Sequence, residues 1–157
     1  MTNRRSRGQP GTKAVDPDHT ALRDLAWFRY SLRKFLRFSE RAAKSHGVTP
    51  QQHQLLLGVA GYAQGGRATV SQLAEFLQER HHGVSELVSR CVKRGLVRKT
   101  TDTHDRRVVR VSLTKKGEAV LAKLSKLHRV QVGQLRAGLL HMAETRKRTR
   151  SDFSGRK

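Results

Sequence analysis

The stretch T-V-S-Q-L-A-E-F-L-Q-E-R-H-H-G-V-S-E-L-V-S-R-C-V-K-R-G, Thr69 to Gly95, decides the fold. Within it Val70, Leu73, Ala74 and Leu77 recur at helical spacing, and so do Val84, Leu87, Val88 and Cys91. Thr69 followed by Gln72 is a capping-box pattern, which starts the first helix. Between the two helices lie about three polar residues, Gln78, Glu79 and Arg80, too few for anything but a tight corner. Gly95 stops the second helix. The stretch reads as a helix-turn-helix.

Beyond Gly95, two β-rich runs, Leu96 to Thr101 and Val108 to Leu113, flank T-D-T-H-D-R-R, a hairpin with a basic tip. Thr114 then caps another long helix. The expected fold class is mainly α with a small β-hairpin wing: a winged helix-turn-helix with N- and C-terminal dimerisation helices.

The run G-L-V-R-K-T-T-D-T-H-D-R-R-V-V-R-V-S-L-T-K-K-G, Gly95 to Gly117, resembles the wing signature of the MarR family of bacterial transcription regulators. V-S-E-L-V-S-R, Val84 to Arg90, lines up without a gap against that family's recognition helix. The resemblance covers roughly residues 20 to 142, and its D-x-R wing pattern falls on Asp105 and Arg107. The chain departs from the family at Glu79 and Arg80, where an apolar residue and a capping Ser are usual. That leaves the cap of the second helix unassigned. The resemblance implies a homodimer interlaced through its terminal helices, and release from DNA by a small anionic or phenolic effector. It implies no cofactor.

The chain has 157 residues, which suits one domain with a modest core. Aromatic content is 5%, so that core is aliphatic and helix-borne. The net charge is +21; residues 1–18 hold +2 of it and residues 144–157 hold +4, leaving +15 on the folded part. Charge of that size calls for a polyanionic partner, nucleic acid before an anionic membrane. No segment has the roughly 20 apolar residues of a membrane span. Arg4-Arg5 is followed by no hydrophobic segment, so it is no export signal. The expected location is the cytoplasm, in association with the nucleoid.

Residues 1–18 read as a disordered basic tail, residues 19–143 as the domain and residues 144–157 as a second basic tail. Within the domain the helix-turn-helix spans 69–95, the wing 96–113, and the dimerisation helices 19–45 and 114–143. The first helix, from about Asp18 to Ser45, has an apolar stripe through Leu25, Phe28, Leu32, Phe35 and Leu36. Arg33, Arg37 and Arg41 line another of its faces, either a solvated surface or one turned to DNA or an acidic partner. Pro50 opens a second helix, Gln51 to Tyr62. Gly133 reads as a kink in the last helix.

A helix presented at a surface fits the major groove, and groups near its N-terminus reach furthest in. His81, His82, Ser85, Glu86 and Ser89 are therefore the candidate base readers. Glu86 has a second reading, an i, i+4 pair with Arg90. Arg80, Arg90, Lys93 and Arg94 suit phosphates, which fix position without reading sequence. At the wing tip His104, Asp105, Arg106 and Arg107 are candidates, with Arg107 first for the minor groove and Asp105 orienting an arginine.

Other chemistries find little. Adjacent His81 and His82 point about 100° apart on a helix, and no H-x-x-x-H or C-x-x-C pair occurs, so no metal site is expected. Cys91 reads as a buried inert thiol, with redox sensing the alternative. No catalytic constellation shows. Trp27, Arg29, Tyr30 and His53 come from segments that could line an effector pocket, yet each is explained as core or surface. The expected function is a sequence-specific regulator of transcription, a homodimeric repressor on a pseudo-palindromic double-stranded operator. Three alternatives are kept: a weakly specific architectural chromosome-binding protein, an RNA-binding winged helix and a pure interaction module.

Overall fold

The computed structural model describes residues 19–62, 64–102, 105 and 108–154; for residues 20, 64 and 140–154 it describes the backbone alone. The expected tail at 1–18 lies outside it. Helix α1, His19–Ser45, ends where Gly47 takes a left-handed φ of 72°. Helix α2, Pro50–Leu57, is started by a full capping box: Thr49 and Gln52 each bond the other's backbone N–H, with Pro50 in the first turn. The expected α-helix to Tyr62 instead widens at Gly58 into a π-helical turn, Gly58–Tyr62. A side chain at Gly58 would not fit, because its Cβ would lie 2.8 Å from the Phe76 ring.

A short strand that the sequence reading did not anticipate follows: β1, Arg67–Thr69. Then come α3 (Val70–Leu77), α4 (His81–Lys93), β2 (Val97–Thr101), β3 (Val109–Leu113) and α5 (Lys115–Ser154). The wing is therefore a three-stranded antiparallel sheet, ordered β1-β3-β2. Arg67, Ala68 and Thr69 pair with Ser112, Val111 and Arg110, which moors the hairpin to the start of the helix-turn-helix.

One core joins all of these elements. Leu55, Leu56 and Val59 meet Leu73 of α3, Val84, Val88 and Cys91 of α4, Leu96, Val97, Val111 and Leu124 of α5, all essentially inaccessible. The inward face expected of α4 is the one observed. Helix α5 runs unbroken through Gly133 to Ser154, so Gly133 does not end it and much of the expected C-terminal tail is helical. A single helical glycine costs only about 1 kcal/mol, too little to stop so long a helix. Outside the core, α1 and α5 pack on each other but leave much apolar surface open. Leu25 is 54% exposed, Trp27 57% and Val130 63%. Among the described residues no helix is long and apolar enough to cross a membrane.

Candidate nucleic-acid interface

Thr69 builds the entry to the helix-turn-helix. Its Oγ1 accepts from the Gln72 N–H at 3.2 Å, while Gln72 Oε1 accepts from the Thr69 N–H at 2.9 Å. At the corner Gln78 adopts a left-handed conformation, φ 53°, and its Nε2 donates to Glu75 O at 2.7 Å. The Glu79 N–H returns to Ala74 O, closing α3. Arg80 is the N-cap of α4, with no capping bond from its side chain. The corner is thus held by backbone bonds from α3, where a small hydroxyl would ordinarily serve.

Helix α4 presents the residues expected of it. Arg80, His81, His82, Glu86, Arg90 and Lys93 are exposed, and Ser85 and Ser89 are half-buried. Glu86 and Arg90 form the anticipated pair at 3.9 Å, but both side chains are mostly in solvent, so the pair is weak. Ser89 is committed within the protein: its Oγ donates to Ser85 O at 2.9 Å and receives Lys99 Nζ at 3.2 Å. Lys99, from β2, went unnoticed in the sequence. Only its place on the strand beside α4 singles it out, and every β2 residue after Val97 is exposed. A cleft of about 410 Å³ runs between the start of α3, α4 and the wing, lined in part by Ser71, His81, Ser85 and Lys99.

Arg94, expected to suit phosphates, is instead bonded within the protein. Its guanidinium turns back to Gln52 Oε1 at 2.9 Å and Gly47 O at 2.6 Å, pinning the end of α4 to the corner before α2. The same end is held from the other side. Lys116 Nζ donates to Arg94 O, and the Thr114 hydroxyl donates to Gly95 O at 2.6 Å. Helices α4 and α5 are therefore stapled together.

In the wing, Arg110 Nε donates to Asp102 Oδ2 at 2.5 Å, and Asp102 Oδ1 also accepts from the Asp105 N–H. Asp102, missed in the sequence, thus holds the root of the hairpin. Asp105 is exposed; His104, Arg106 and Arg107 lie outside the described residues. Cys91 is wholly inaccessible, and burial pushes its thiol up to about 11, so it stays protonated and inert. Among the described residues no cluster of His, Cys, Asp or Glu could hold a metal ion.

A capped helix, a tight corner, an exposed second helix and a sheet-anchored hairpin define a winged helix-turn-helix protein. Residues 46–108 match the sequence model of the MarR family. The chain is 29% identical over 117 residues to the HTH-type transcriptional repressor MdtR of Bacillus subtilis, covering 65% of this chain and 74% of that one. Its fold resembles AbsC, a MarR family transcriptional regulator from Streptomyces coelicolor, with a TM-score of 0.65 at 20% identity, covering 92% and 99% of the two chains. A mutant MarR from E. coli complexed with operator DNA gives 0.62 at 18% identity, covering 88% and 99%. The chain is thus similar to MarR-family proteins, in sequence over residues 46–108 and in fold over most of its length.

Proposed function

We propose that the protein is a sequence-specific double-stranded DNA-binding regulator, acting as a homodimeric repressor on a pseudo-palindrome. One observation carries this reading. Helix α4 buries Val84, Leu87, Val88 and Cys91 in the core, and leaves His81, His82 and Glu86 exposed on its N-terminal half with Ser85 half-buried among them. That is the placement a major-groove reader needs. His81 and His82 offer ring nitrogens to base edges, and Glu86 can leave Arg90 to accept from a cytosine amine. Arg80, Arg90, Lys93 and Lys99 face phosphates, and Arg106 and Arg107 enter the adjacent minor groove.

The relatives support the reading: MdtR is named a repressor, and the E. coli protein was captured on operator DNA. The unpartnered apolar faces of α1 and α5 support a homodimer, which would set two α4 helices about one helical turn of DNA apart. The staple between α4 and α5 then gives an effector its lever. A small anionic or phenolic ligand that favours one spacing of the arms shifts the population away from the DNA-competent one. The domain division at residues 19–143 is kept, with the last helix extended.

The deciding experiment selects bound duplexes from a random pool at near-physiological salt, where phosphate-only binding is weakened. Enrichment of an inverted repeat establishes the reading. Retention of DNA with no enriched motif replaces it with a weakly specific architectural protein, the role that +21 alone would support.

A further inference from the structure

Where α1, α2 and α5 meet, two imidazoles lie in tilted contact in an apolar joint. His53 of α2 is 2% exposed and His128 of α5 is 9% exposed, and their ring centroids are 5.0 Å apart. Phe35 and Phe38 of α1 close the joint edge-on, 5.8 and 5.4 Å from the His128 ring. His128 Nδ1 lies 2.7 Å from Leu124 O, so in the neutral ring it carries the hydrogen and leaves Nε2 a bare lone pair. That Nε2 and His53 Nδ1 are the buried side-chain nitrogens without a hydrogen-bond partner among the described residues. Buried polar atoms almost always find partners, so two orphans in contacting rings mark a built feature.

We propose that His53, seated against His128, forms an acid-sensitive latch between α2, in the helix-turn-helix lobe, and the α5 arm, closed while His53 is neutral and released when it is protonated. No negatively charged group is among the causes that act on His53 in the joint. Its α1 side is phenyl, and the titratable group whose charge acts on His53 is His128 itself. Burial first, and the charge of His128 second, push His53 from 6.5 down to about 4. Acid therefore favours any arrangement in which the rings part and reach water. Because Arg94 ties α4 to Gln52 of α2 while Thr114 and Lys116 tie it to α5, parting these helices strains the seat of α4. The consequence for DNA rests on the function proposed above; the latch itself does not.

The test follows backbone amide exchange in the full chain between about pH 7.5 and about pH 5, corrected for intrinsic exchange. Amides flanking His53 and His128 should lose protection by about tenfold or more on acidification, before the rest of the core does. The double variant His53→Gln, His128→Gln should lack that selective loss. Equal loss in the wild type and the double variant overturns the latch. Should the variant fail to fold, imidazole NMR titration of the wild type decides: a His53 that titrates at its ordinary value with the joint still protected refutes the idea. In parallel, affinity for a selected duplex should fall with acid more steeply in the wild type than in the variant. A joint that opens with identical affinity profiles overturns its coupling to α4. Absence of DNA binding at every pH instead removes the proposed function, and the exchange result still judges the latch.

Discussion

Arg94 shows what a single residue can hide in a sequence. In R-C-V-K-R-G it is one more cation at a helix end, and spacing alone assigns it to phosphates. Its two bonds to Gln52 and Gly47 span more than 40 positions of chain, a link that no local pattern carries. Lys93, one residue earlier, is exposed. The two should therefore separate cleanly. Lys93→Ala should leave stability nearly unchanged and reduce the salt dependence of DNA binding by about one phosphate contact. Arg94→Ala should cost roughly 1–3 kcal/mol of stability, the range for lost charge-assisted bonds, and leave the salt slope alone. Denaturant titrations and binding measured across a salt series check both. His53 supplies a second prediction at this scale. Its folded value of about 4 lies below the ordinary 6.5, so the stability it contributes is complete above 6.5 and is lost as pH falls toward 4. At about pH 5 the loss should be on the order of 2 kcal/mol. A thermal midpoint that falls no faster with acid than in His53→Gln would contradict it.

At the scale of elements, the sequence was most legible where periodicity and capping coincide. The inward stripe of α4 and the capping box of Thr69 stand as expected, because burial and end-satisfaction leave strong local marks. Strand β1 escaped because three residues are too few to show alternation, and its pairing partner lies more than 40 residues away. Helix α5 was expected to kink at Gly133 and end near residue 143, because a glycine marks a weak point without deciding whether the helix yields. Gly117 is the more exacting one. A Cβ there would sit 2.0 Å from Leu96 O, so the first turn of α5 could not approach the end of α4. Gly117→Ala should destabilise the protein by about 2 kcal/mol or more, the range of overpacking with a backbone shift. Gly133→Ala, with nothing near its Cβ, should be neutral or stabilising. Comparable denaturation midpoints for the two would refute the close approach. In the wing, Asp102 anchors the hairpin root, and the proposed function gives the tip a DNA contact. Arg107→Ala should weaken duplex binding at least about tenfold, roughly 1.4 kcal/mol, with stability intact. Unchanged affinity in a gel-shift titration would take the wing out of the mechanism.

For the whole molecule, two properties compete to explain binding. A charge of +21 attracts any polyanion, and salt screens that attraction. On the proposed reading, base reading by α4 requires two copies held at a fixed distance, which α1 and α5 would set. Their open apolar faces were readable as stripes wider than one small domain needs, though periodicity could not say what covers them. Leu25 and Val130 test the answer, because each is more than half exposed in the single chain. An exposed side chain contributes little to its own chain's core, so a change there mainly reports on a partner. Leu25→Glu and Val130→Glu should each shift sedimentation from dimer toward monomer at micromolar concentration. Burying a carboxylate in an apolar contact costs several kcal/mol, more than a modest interface can absorb. Affinity for an inverted repeat should then collapse toward that for a single half-site, while the residual salt-dependent attraction persists. If both variants remain dimeric and keep the repeat, the copies meet through some other surface. The α4 spacing would then have to be set elsewhere than on the two arms.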